Sequence, residues 1–128
     1  MRPEEPTTIG LSESAHEKLK SMRDDGHFAE LLDGYRLAVG LALAQGIEPP
    51  EVQKRTTVFN VHTFDPDQSI KISIEVLLGN KLQDVPIYRI AERLADWGVR
   101  ELTSQAETGS IDVIKILDQA DAQNESDG

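Results

Sequence analysis

The sequence contains no cysteine, which excludes disulfides, thiolate metal sites and cysteine nucleophiles together. Its three histidines, His16, His27 and His62, show no ligand spacing on a common helix face, so neither a metal nor another cofactor is expected. No run of ~18 apolar residues exists, and the opening MRPEEP lacks the apolar stretch of a signal peptide, so the expected location is the cytoplasm with no membrane partner. The G-x-S-x-G, H-E-x-x-H, phosphate-loop and G-x-G-x-x-G patterns are all missing. Carboxylates are plentiful, but Asp24-Asp25 reads as a turn and Asp65 with Asp67 as helix-start chemistry. No catalytic residue is assigned, and the chain is not expected to be an enzyme.

Positive charge is also scarce. Thirteen Lys and Arg stand against 23 Asp and Glu, a formal net charge of −10, with −3 on residues 1–55 and −7 on residues 56–128. Such a chain repels the DNA backbone at long range, so any nucleic-acid contact needs a local basic patch, and only the first half can hold one. What is present suits a globular protein: 38% hydrophobic and 28% charged residues over 128 positions, enough for one compact domain or two subdomains sharing a core.

Residues 1–6 read as an extended leader. In TTIGLS, Ile9 and Leu11 alternate with Thr8, Gly10 and Ser12, the pattern of a short half-buried strand. A helix follows, with Ser14 and Glu17 at capping-box spacing and Ser12 an alternative cap one turn earlier. Its stripe is Ala15, Leu19 and Met22. The second helix, roughly Phe28 to Gln45, begins amphipathic through Phe28, Leu31, Leu32 and Tyr35. From Leu37 to Ala44 every residue except Gly40 is then apolar. A helix apolar all round must be buried all round, which predicts a second copy of the chain against it. The expected dimer interface is Ile9, Leu11, Tyr35, Leu37, Val39, Gly40, Leu41 and Leu43. Gly40, beside Ala38, Ala42 and Ala44, reads either as a close-approach point or as a tolerated glycine.

After the IEPPE hinge, residues 54–64 are rich in β-branched and aromatic types and could run extended. Residues 70–78 fit a strand or a helix by period alone; the Asp65-Pro66 start and the Gly79-Asn80 stop favour a helix carrying Ile70, Ile74, Leu77 and Leu78. Another helix is predicted from near Asp84, with Ile87, Ile90, Ala91, Leu94 and Trp97 inward. Gly98 is read as its C-terminal residue, followed by a shorter helix through Val99, Leu102 and Ala106. Ser110 caps a last helix with Ile111, Val113, Ile114, Ile116 and Leu117. The division is thus a 1–50 dimerisation module, a 51–118 helical unit and a 119–128 acidic tail, read as disordered. The fold class is mainly α: a short N-terminal strand and a helix pair, then a C-terminal helical unit.

Lys18, Lys20 and Arg23 on the first helix, joined by Lys54 and Arg55, are the best candidates for phosphate, although Glu17, Asp24 and Asp25 lie among them. Thr8 and Ser12 would be the outward side chains of a DNA-reading strand; hydroxyls donate to bases but discriminate weakly, and Gly10 reads nothing. Trp97 and Tyr88 read as core residues rather than stacking platforms, and Arg89, Arg93 and Arg100 as solvated partners of Glu92, Asp96 and Glu101.

TTIGLSESAHEKLKSM followed by HFAELLDGYRLAVGLALAQG resembles a ribbon-helix-helix module. It also resembles the small accessory proteins of DNA phosphorothioation (Dnd) systems, in which an LSE start leads into two helices, the second rich in small residues. DVPIYRIAERLADWGVREL is similar to a stretch of Dnd-associated proteins in which an IAE helix runs into an A-x-x-G turn; the matching positions are Ile90, Ala91, Glu92, Ala95, Gly98, Val99 and Leu102. The resemblance implies a bacterial, non-catalytic accessory or regulatory protein tied to DNA modification or phage defence. The expected partners are a second copy or more, weakly bound DNA, and a protein of a modification, defence or toxin system. The alternative is a ribbon-helix-helix transcriptional regulator or antitoxin whose C-terminal half binds a partner.

Overall fold

The computed structural model describes residues 4–108, and of Asn80 and Thr108 the backbone only. The helix expected at 110–117 and the acidic tail at 119–128 lie outside the described residues. The elements are β1 (Thr8–Ser12), α1 (Glu13–Asp24), α2 (Leu31–Ala44), β2 (Arg55–Asn60), α3 (Val61–Phe64), α4 (Ser69–Leu78), a 3₁₀ turn at Gly79–Lys81, and α5 (Ile87–Thr108). The fold is mainly helical, with the expected strand and helix pair at its N-terminal end.

β1 forms because Ile9 and Leu11 drop into the core, both fully buried. Its hydrogen-bonded neighbour is β2, antiparallel, with a bulge between Ile9 and Gly10. Gly10 is required there: a Cβ would stand 2.0 Å from the Thr56 carbonyl oxygen. The other edge of β1 is closed by side chains. The Gly10 N–H donates to Glu92 Oε2 at 2.7 Å and the Ser12 N–H to Asp96 Oδ2 at 2.8 Å. The Tyr35 hydroxyl donates to the Gly10 carbonyl at 2.9 Å. β1 therefore finds hydrogen-bonding partners within its own chain.

α1 starts at the earlier of the two candidate caps: Ser12 Oγ accepts the Ala15 N–H at 3.2 Å, leaving Ser14 inside the helix. α2 makes its most extensive contact with α5, which covers much of LAVGLALA within the chain. Ala38, Val39, Leu41, Ala42 and Ala44 are buried by the chain's own elements. Of the residues expected at a dimer interface, Ile9, Leu11, Tyr35, Val39 and Leu41 belong to this core, while Leu37, Gly40 and Leu43 stay half-exposed. Much of that cover is α5, which Gly98 does not end. The helix runs unbroken for 22 residues. Gly98 lies where a Cβ would stand 2.1 Å from the Ala38 carbonyl oxygen, so it permits the α2–α5 approach rather than ending a helix. Nothing lies within 4 Å of a Cβ added at Gly40. One core cluster runs from Ile9 to Leu102, so the loop at residue 50 connects elements that pack together.

Residues 55–60 take the extended option and 69–78 the helical one. α4 begins three residues later than the Asp-Pro signal suggests, yet Asp65 still serves it: its two carboxylate oxygens accept the Ile70 and Lys71 N–H groups at 3.0 and 2.9 Å. Asp65 also accepts from the buried Tyr88 hydroxyl at 2.9 Å. The α5 N-terminus is capped from far away in sequence, as Glu5 takes the Ile87 and Tyr88 N–H groups at 2.8 and 2.9 Å. Tyr35, Phe64 and Tyr88 stack edge to face, with centroids 5.2 and 6.4 Å apart.

These two tyrosines set an alkaline limit. Burial raises the Tyr35 hydroxyl well above its ordinary value, helped by Glu92 and Asp96. Burial, and then the hydrogen bond to Asp65, raises that of Tyr88. Above pH ~10 the unfolded chain releases protons that the folded chain retains, so stability falls with rising pH, by about 1.4 kcal/mol per pH unit for each tyrosine. Urea midpoints measured from pH 8 to 11 should decline only above ~10, and Tyr35→Phe should flatten the decline. A midpoint that rises across that range would refute this.

Candidate functional site

The basic residues singled out in the sequence are not brought together. Lys20 is paired with Glu17 at 3.0 Å and Arg23 with Asp24 at 3.2 Å. Lys18 borders an open cleft of about 510 Å³ whose other charged lining is Glu17, Asp25 and Glu107, with His27 at its rim. The field there is acidic, the wrong sign for phosphate. His16 on the same helix is held below its ordinary pKa, first by burial and then by Lys20. Arg55 turns away to Glu92 Oε2 at 2.6 Å. Thr8 is half-buried opposite Asn60, and Ser12 Oγ also accepts from Arg100 Nη2 at 3.1 Å. Gly10 between them is buried. The row Thr8, Gly10, Ser12 thus points along an edge already occupied by α5.

The surface that stands out is on α4. Its ten residues, SIKISIEVLL, are apolar on two opposite faces. At 100° per residue, Ile74 and Leu78 fall together and are buried, while Ile72 and Val76 fall on the far side. Ile72, Val76 and Leu77 are 55%, 76% and 42% exposed, the exposed large hydrophobic residues among those described. Ser69 and Ser73 lie between Ile72 and Val76 on one side and Leu77 and Ile70 on the other. They open a shallow groove of about 210 Å³ against α2, lined also by Arg36, Val39, Gly40 and Leu43. The open space above Gly40 is part of this groove.

Isolated exposed leucines need no explanation, but three large apolar side chains on one short helix beside an apolar groove mark a contact surface. Fully covering one such side chain stabilises an assembly by roughly 1.5–3 kcal/mol. The sequence reading missed Ile72 and Val76 because they supported the strand alternative, and it placed Leu77 inward. Once helix is chosen, the wheel alone separates Ile72 and Val76 from Ile74.

Among the described residues no group of three or more His, Asp or Glu is placed to hold a metal ion, and no helix is long and apolar enough to cross a membrane. No protein-family model matches the chain, and no curated protein or solved structure is significantly similar to it.

Proposed function

We propose that this chain is a non-enzymatic accessory or regulatory protein of the cytoplasm that acts by docking the apolar α4–α2 face onto another protein. The exposed Ile72, Val76 and Leu77 strip carries this reading. The charge of −10 argues for a partner rimmed by Lys and Arg, since an acidic surface steers a basic one in and repels a copy of itself. Proteins that handle DNA carry such surfaces. This agrees with the resemblance to accessory proteins of bacterial DNA-modification and phage-defence systems, which supplies the proposed setting. The closed edge of β1 and the ion-paired Lys20 and Arg23 favour protein contact over DNA reading.

The test is co-purification of the tagged chain with a modification or defence enzyme of its host, compared with Val76→Lys. Losing one apolar anchor and placing a charge against a basic rim should weaken binding about tenfold or more, with unchanged circular dichroism because Val76 is not in the core. Equal recovery with Val76→Lys would overturn the proposal. So would a duplex DNA shift that weakens on Lys18→Ala, which returns the reading to a regulator. Light scattering separates a third outcome, a particle of twice 14.2 kDa, in which a second copy covers the face.

A further inference from the structure

Glu92 is an ionisable side chain almost sealed from water, 3% exposed, and it is neutralised by two arginines. Arg55 Nε meets its Oε2 at 2.6 Å and Arg89 Nη1 its Oε1 at 2.9 Å. This leaves Arg55 Nη2 buried with no acceptor, the one such side-chain atom among the described residues. A buried guanidinium donor without an acceptor is rare in folded proteins.

The same residues line a cavity of about 430 Å³, open at the surface between the segment leading into β2 and the first turns of α5. Its walls are Arg55 on one side and Arg89 and Arg93, one helical turn apart, on the other; Val52, Val85 and Pro86 form an apolar rim. Three guanidinium groups against Glu51 and Glu92 leave the lining at net +1, within a chain of net −10. Arg93 has no ion-pair partner among the described residues. Both loops that build the walls hold non-glycine residues in left-handed backbone: Lys54 at φ 51°, and Gln83 and Asp84 at 49° and 65°. Such conformations persist where surrounding structure fixes a site.

We propose that this cavity binds a small organic phosphate. The phosphoryl oxygens lie between Arg93 and the accessible parts of the half-buried Arg55 and Arg89 guanidinium groups, and the organic part rests on Val52, Val85 and Pro86. Guanidinium groups arriving from two walls suit a tetrahedral dianion better than a planar carboxylate, which one arginine satisfies from one side. The volume is within the range of small-molecule sites and larger than a lone phosphate needs.

The experiment is a titration of the full chain at pH 7.5 and constant ionic strength with phenyl phosphate, inorganic phosphate and acetate, followed by calorimetry and by the arginine Nε–Hε signals in NMR spectra. Phenyl phosphate should bind saturably and about threefold or more tighter than inorganic phosphate, with acetate weaker than both. Arg93→Ala should weaken phenyl phosphate at least about tenfold, whereas Arg100→Ala, on the far side of Asp96, should not. Because Arg93 holds no other group among the described residues, the variant should fold, and its unchanged melting temperature without ligand verifies this. Shifts that fail to saturate, that survive Arg93→Ala, or that acetate matches would each overturn the assignment. A chain that binds phenyl phosphate but loses no partner on Val76→Lys would separate this site from the docking face.

Discussion

Glu92→Ala is expected to destabilise the chain by about 3–5 kcal/mol, the range for removing one partner from a buried ion pair. The value follows from what is left behind. The carboxylate is the only acceptor given to the Gly10 N–H, and that residue cannot carry a side chain to shield itself, because a Cβ would meet Thr56. Arg55 already has one buried nitrogen without a partner and would lose its other bond. Arg89 would lose its only partner as well. Glu92→Gln retains an acceptor for Gly10 and removes the charge, so it should fall between wild type and alanine. Arg55→Ala added to Glu92→Ala should recover part of the loss, since the uncompensated guanidinium disappears with it. Urea unfolding of the four proteins measures this. A Glu92→Ala loss below about 1 kcal/mol would mean that β1 is held by its pairing with β2 alone.

The same cluster shows where sequence reasoning reached and where it stopped. Periodicity gave the stripe Ala15, Leu19 and Met22, the inward residues Ile87, Ala91 and Leu94 of α5, and the capping role of Asp65, because each depends on neighbours within a few positions. Glu92 looked like a solvated partner of Arg89, which by spacing it is. Its burial comes from Gly10 and Arg55, 82 and 37 positions away, and no local pattern records that. LAVGLALA predicts cover on all sides, and α5 supplies it for Ala38, Val39, Leu41, Ala42 and Ala44 but leaves Leu37, Gly40 and Leu43 half-exposed. Reading Gly98 as a helix end hides α5 as that neighbour. α4 went the other way: its inward face, Ile70, Ile74, Leu77 and Leu78, is named from helical spacing, while Ile72 and Val76, which fit only the strand alternation, form an exposed second face without a partner within the described residues.

Two alanine substitutions on facing helices should therefore have opposite signs. Gly98→Ala places a methyl 2.1 Å from the Ala38 oxygen, 2.6 Å from its carbonyl carbon and 2.7 Å from its Cα. All three are backbone atoms of α2, so no rotamer change relieves the contact and the two helices must separate. Overpacking a core by a methyl group costs about 1–3 kcal/mol when side chains can yield; with backbone on the receiving side, about 3 kcal/mol or more is expected. Gly40→Ala meets nothing within 4 Å and replaces the poorest ordinary helix former with the best, so it should stabilise by about 0.5–1 kcal/mol. For a chain of this size the pair should lie about 10 °C or more apart in melting temperature, at roughly 3–5 °C per kcal/mol. The comparison also tests how α2 is covered. If a second copy approached closely over Gly40, the added methyl would push it away, and Gly40→Ala would destabilise in a concentration-dependent manner. A gain independent of protein concentration, together with a large loss at Gly98, is the outcome required by a core closed within one chain.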